Sequence, residues 1–142
     1  MARQGRSAGS VQEPARVLIV VDMPVVAETV RLTLDHGTYA TRHAATTAEA
    51  REVMDSWRPH LAVIDMDLGG KALLNDLGLS ADRLSTSIPV LALTRRGDLR
   101  TKLAAFEQGV DDIVTVPFSP EELLARMFAG SRRSLTSRDG LS

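Results

Sequence analysis

Five short apolar runs recur along the chain, each separated from the next by about one helix's worth of residues. They are Val17-Leu18-Ile19-Val20-Val21, a weaker run from Tyr39 to Ala45, Leu61-Ala62-Val63-Ile64-Asp65, Pro89-Val90-Leu91-Ala92-Leu93-Thr94 and Ile113-Val114-Thr115-Val116. Continuous apolar runs of this length suit strands covered on both faces, rather than half-exposed strands that alternate. The segments between them have helical spacing, as in Val26, Val30 and Leu34. The boundaries carry physical signals. Pro24 suits a first helical position, Thr46 with Glu49 resembles a capping box, and Ser119-Pro120-Glu121-Glu122 combines a cap, an N1 proline and early acids. Gly37 and Gly109 read as helix stops, and Pro59 closes the helix ending near Trp57.

Five strand–helix units of about 20 residues predict a doubly wound parallel sheet with right-handed crossovers and helices on both faces. The third helix is short, from Lys71 to Leu77, and Ser80 to Ser87 reads as a polar connection. The fourth helix spans Asp98 to Gln108, and the last runs to about Ser131. Residues 1–15 read as a flexible leader, 16–131 as the domain and 132–142 as a linker or tail. The leader lacks the apolar stretch of a secretory signal.

Composition narrows the function. The chain has 142 residues and a net charge of −1, but segments 1–16 and 131–142 each carry three Arg against one acid, leaving the body acidic. An acidic body argues against nucleic-acid contact by the domain itself, because phosphate binding needs clustered cations. There is no cysteine, so disulfide and thiol chemistry are excluded. No apolar run approaches the ~20 residues of a membrane span. A cytoplasmic location fits these features.

In an open sheet of this kind, chemistry collects at the carboxyl ends of the strands, beside the point where strand order reverses. Asp22 follows the first run, Asp65 and Asp67 end the third, and Thr94 ends the fourth. Carboxylates that share a pocket raise one another's pKa or recruit a hard divalent cation such as Mg²⁺.

On these residues the chain resembles the receiver domain of bacterial two-component response regulators, over about residues 15–130. The resemblance implies a (βα)₅ flavodoxin/receiver-like fold with strand order 2-1-3-4-5. It implies Asp65 as phosphoacceptor and Thr94 as the switch hydroxyl. It also implies Asp22, Asp65 and Asp67 as the Mg²⁺ site, Asp67 through its main-chain carbonyl. The block Gly109 to Phe118 matches the family's fifth strand, with a cis peptide expected before Pro117, and Phe118 to Arg126 matches the last helix of winged-helix-type members. A sensor histidine kinase or another signalling protein is the implied partner. A homodimer through the fourth helix, fifth strand and fifth helix is also implied, with Glu107, Asp111 and Arg126 at its salt-bridge positions; Thr101 and Glu121 do not match there.

The chain departs from the pattern at several places. Val21 stands at the first acidic position, Val116 at the lysine, Ile113 at the aromatic switch, Gly69 where proline is common, and Arg95 where a small residue leaves the pocket open. The expectation is a signal receiver that is not an enzyme, with an incomplete site and weak Mg²⁺ binding. The alternative is a pseudo-receiver acting by protein contact alone. Asp67 reads as a solvent-facing loop residue or as a surrogate ligand. Arg95 reads as part of a solvated loop, or as a cation folding over the pocket in place of the missing lysine. His36, His43 and His60 are scattered and read as surface residues, and Asp111-Asp112 as the turn before the fifth strand.

Overall fold

The computed structural model describes residues 13–79 and 88–140, without the side chains of Lys71 and residues 131–140. The expected leader up to residue 12 and the polar connection Ser80–Ser87 lie outside the described residues.

The chain alternates β1 (Ala15–Val20), α1 (Pro24–Leu34), β2 (Tyr39–Ala44), α2 (Thr47–Trp57), β3 (Leu61–Asp65), α3 (Gly70–Asp76), β4 (Val90–Thr94), α4 (Leu99–Gln108), β5 (Asp112–Thr115) and α5 (Pro120–Gly140). The five strands form one parallel sheet in the order β2-β1-β3-β4-β5, as expected. The helices start where local chemistry told them to. The Glu49 amide donates to Thr46 Oγ1 at 3.2 Å, the Thr101 amide to Asp98 Oδ2 at 3.1 Å and the Glu122 amide to Ser119 Oγ at 3.1 Å. Each cap satisfies a donor that the first turn leaves without a helical partner. Gly109 ends α4 at φ +117°, a conformation that glycine adopts without Cβ strain.

Side-chain alternation divides the sheet into two cores. Leu18, Val20, Ala62, Ile64 and Ala92 pack with Ala50, Leu73, Leu74 and Ala105 from α2, α3 and α4. Val17, Ile19, Val63, Leu91 and Leu93 pack on the other face with Ala27, Val30 and Leu34 of α1 and Leu123 and Met127 of α5. Neighbouring strand residues thus serve opposite faces, which is why both parities of the central strands are apolar.

Two boundaries differ from expectation by more than a single residue. β1 begins at Ala15, two residues before the apolar run, because the Ala15 amide reaches Thr38 O at 3.1 Å and the pair registers with Tyr39. α5 continues from the expected stop near Ser131 to Gly140. Gly130 does not break it, since an isolated glycine inside a helix costs only ~1 kcal/mol and no proline follows. An added Cβ at Gly130 would lie 3.6 Å from Leu61 Cδ2, an ordinary van der Waals contact.

Candidate functional site

β1 has β2 on one side and β3 on the other, so the strand order reverses between the ends of β1 and β3. Asp65 ends β3, in register with Leu93, and Thr94 ends β4, in register with Thr115. These are the two polar side chains in the buried class among the described residues, at 5% and 3% exposure. Asp22 lies just past β1 and is exposed, as is Asp67 in the turn after β3.

The turn is tied by its own groups. Asp65 Oδ1 accepts the Asp67 amide at 2.9 Å, and the Asp65 main-chain oxygen accepts the Leu68 amide at 3.1 Å. The carboxylate of Asp67 turns toward β4. Its Oδ1 accepts the Thr94 hydroxyl at 3.2 Å, and its Oδ2 accepts the Arg95 amide at 3.0 Å and Arg95 Nη1 at 3.3 Å. Thr94 Oγ1 also accepts the Arg96 amide at 3.0 Å. Arg95 Nη2 reaches the sulfur of Met23. Asp67 is exposed, as the solvated-loop reading expected, but its carboxylate is engaged. It is a hub for the Thr94–Arg95 segment. Arg95 likewise folds back from its loop, onto Asp67 rather than onto Asp65.

Burial pushes the Asp65 carboxyl above its usual range. The Asp67 amide opposes this by bonding the ionised form, the Asp67 charge adds to it, Arg95 opposes it and Asp22 adds to it. Asp65 is therefore a carboxylate held in acidic surroundings with one backbone donor and a guanidinium nearby.

The positions that depart from the family pattern have become structural. Val21 is fully buried among Ile19, Ala27 and Val30; its amide bonds Ala44 O at 3.2 Å, and its carbonyl meets His43 Nε2 at 2.6 Å. Val116 packs at the edge of the same cluster, with its amide on Thr94 O at 2.8 Å. Ile113 is buried on the opposite face beside Ala105 and Val110. The Val116–Pro117 peptide is cis, as expected.

Other polar residues lie at the far end of the sheet. Arg16 Nε donates to Trp57 O at 2.9 Å and its Nη2 to Arg58 O at 2.8 Å, while the Arg16 amide donates to His60 Nδ1 at 2.9 Å. Asp111 Oδ2 accepts the Val90 amide at 2.7 Å, and Asp112 Oδ1 accepts Arg126 Nη1 at 2.9 Å. His43 is exposed, as expected, and His60 half-buried, and both contact backbone groups. Asp111 and Asp112 hold strand ends, beyond the role of a simple turn. No local pattern signals these pairs, because the partners come from distant elements.

The donor set suits a hard cation only in part. Asp65 and Asp22 are close enough for one charge to act on the other, an acidic pair that a cation would relieve. The Asp67 carboxylate is already taken, and among the described residues no group of three His, Cys, Asp or Glu side chains gathers to hold a metal. Of the expected set, the Asp22 and Asp65 carboxylates remain as candidate ligands.

A family model described as the response regulator receiver domain matches residues 17–128. The phosphate regulon transcriptional regulatory protein PhoB of Pseudomonas aeruginosa is 34% identical over 119 residues, covering 83% of this chain and 52% of that protein. The response regulator MprA of Mycolicibacterium vanbaalenii is 36% identical over 130 residues, covering 89% of this chain and 54% of that protein. The chain therefore spans about half the length of the curated relatives it matches. A CheY-like receiver domain protein from Methanospirillum hungatei, at 21% identity, superposes with a TM-score of 0.75 over 88% of this chain and 99% of that one, a likeness of fold.

Proposed function

The chain belongs to the response regulator receiver domain family, and we propose that it receives its signal at Asp65 through a weakened phosphoacceptor site. The observation that carries this reading is the burial of Asp65 at the end of β3, beside the reversal point of the sheet, and of Thr94 at the end of the neighbouring β4. An ionised Asp65 oxygen attacks the phosphorus of a donor in line, and the donor's leaving atom, the imidazole nitrogen of a phosphohistidine or the oxygen of an acyl phosphate, departs with the bond electrons. Burial and the charges of Asp67 and Asp22 oppose that ionisation, while the Asp67 amide and Arg95 favour it. Thr94 serves the phosphoryl group only by leaving Asp67, the acceptor of its hydroxyl hydrogen bond. Mg²⁺, held by Asp22, Asp65 and the Asp67 carbonyl, would supply charge neutralisation when bound. With Val116 in place of a lysine, the phosphoryl group lacks a charge-assisted hydrogen bond worth about 1.5–3 kcal/mol.

The domain accepts a group and changes its contacts; it does not turn over a substrate as an enzyme does. The partner is a sensor histidine kinase or another signalling protein, met in the cytoplasm. No described helix is long and apolar enough to cross a membrane. A homodimer through α4, β5 and α5 would rest on exposed apolar residues, Leu99, Leu103 and Phe106 on α4 with Leu124 and Phe128 on α5. Asp111 and Arg126 are already engaged within the chain.

The second reading, a pseudo-receiver that works by protein contact, is favoured by the commitment of Thr94 and Arg95 to Asp67. Incubation with Mg²⁺ and a small acyl phosphate, followed by intact-mass measurement, separates the two. The expected result is slow, partial gain of a single phosphate, abolished by Asp65→Asn. Rapid and near-complete gain would overturn the weakened site, and no gain would leave the pseudo-receiver.

A further inference from the structure

We propose that His43 is a positioning residue for Asp22, holding the end of β1 in place through the Val21 carbonyl. β1 and β2 pair residue by residue, from Ala15 with Tyr39 to Val20 with Ala44. One more ladder bond follows, from the Val21 amide to Ala44 O at 3.2 Å. In a parallel pair the carbonyl of that same residue would then accept an amide two positions further along the neighbouring strand, here Thr46. β2 does not run that far. The Ala45 amide turns onto Glu49 Oε1 at 2.8 Å, and Thr46 caps α2. The start of α2 therefore ends the ladder, and among the described residues no main-chain amide bonds the Val21 carbonyl. The His43 ring fills that place: its Nε2 donates to Val21 O at 2.6 Å.

The bond matters because the Val21 carbonyl and the Asp22 amide belong to one rigid peptide plane. The Val21 side chain is fully buried with Ala27 and Val30 of α1. Core packing thus fixes Val21 by its side chain, and His43 fixes it by its carbonyl. Together they set the direction in which Asp22 leaves the strand. Asp22 is itself exposed, so packing does not hold it. With valine at position 21, it is also the one carboxylate that the end of β1 supplies. A carbonyl oxygen only accepts, so the ring carries its hydrogen on Nε2. Imidazolium carries one there as well as the neutral ring does, so the link needs a donor at that reach rather than a charge.

The consequence for metal binding rests on the reading of Asp22 as a ligand; the link itself does not. NMR on the wild type, His43→Ala and His43→Gln tests the link by amide hydrogen exchange and by nitrogen relaxation at Asp22. Mg²⁺ titration of the same proteins, followed by amide shifts, tests what the link positions. In His43→Ala the Val21 amide should exchange roughly fivefold faster, while Val63 and Leu93 in the core stay unchanged. The Asp22 backbone should gain mobility, and Mg²⁺ should bind severalfold more weakly. His43→Gln, which keeps a donor nitrogen, should return all three readings close to the wild type. Equal exchange and equal Asp22 mobility in the wild type and His43→Ala would overturn the link. Faster exchange with equal Mg²⁺ affinity, where both proteins bind it, would overturn the positioning role. Faster exchange and a mobile Asp22, both restored by His43→Gln but with Mg²⁺ bound by none of the proteins, would uphold the positioning and sink the reading of Asp22 as a ligand instead.

Discussion

The two ends of the sheet hold similar residues and use them differently. At the end where the strands begin, Arg16 is bonded to the carbonyls that terminate α2, Asp111 takes the first amide of β4, and Asp112 takes Arg126 from α5. Charge there meets opposite charge or backbone. At the end where the strands finish, Asp65 is buried with a single backbone donor, and the nearby cation is bonded to a different carboxylate. The first end joins elements together. The second holds an acid at a cost to stability, the usual mark of a site kept for chemistry. The difference teaches that polar residues in one small domain have to be judged by their partners, since composition at the two ends is alike.

Three experiments test the comparison, beginning with the largest effect. Ile64→Ala, directly before Asp65 and fully buried, removes packing that the two ends share and should destabilise the fold by about 3 kcal/mol in urea unfolding. If the ends form one cooperative unit, amides at Arg16 and at Asp67 should lose protection together; separate loss would divide the domain in two. Asp112→Ala should cost about 1 kcal/mol by the same measurement, since the pair is charge-assisted but partly open to solvent. No loss would mean that the joining end is not held by that pair.

Asp65→Asn should act in the opposite direction, with the smallest effect. The folded pKa of Asp65 lies above its unfolded value. The folded chain therefore holds that proton more firmly, and stability is lost as pH rises from the ordinary carboxylate range through the raised value. Removing the titrating group should raise the melting temperature at pH 7, with the gain fading below the ordinary carboxylate range. A lower melting temperature at pH 7 would show that the ionised carboxylate is well accommodated and would erase the contrast between the ends.

Much of this was legible in the sequence because it depends on near neighbours. Thr46 and Ser119 cap helices through residues three positions on, as does Asp98, which the sequence placed inside its helix, and the apolar runs fall within a residue or two of the strands. Asp22, Asp65 and Thr94 could be placed at strand ends because strand boundaries fix them. The direction of the Asp67 carboxylate was not legible. It depends on Thr94 and Arg95, 27 and 28 residues away, and either a solvated or a ligating Asp67 suits the local turn. The partners of Asp112, His43 and His60 were hidden for the same reason.

Alternating strand and helix lengths, caps and apolar runs determined the fold class, since a five-stranded parallel sheet buries those runs on both faces. They also determined which residues stand at the strand ends. Only the tertiary structure decided what those residues touch: that Val21 and Val116 are absorbed into the core, and that Thr94 and Arg95 bond Asp67. Periodicity is a property of consecutive residues and survives in one dimension. A hydrogen bond between loops depends on how three strands are ordered side by side, and that order exists only once the sheet has formed.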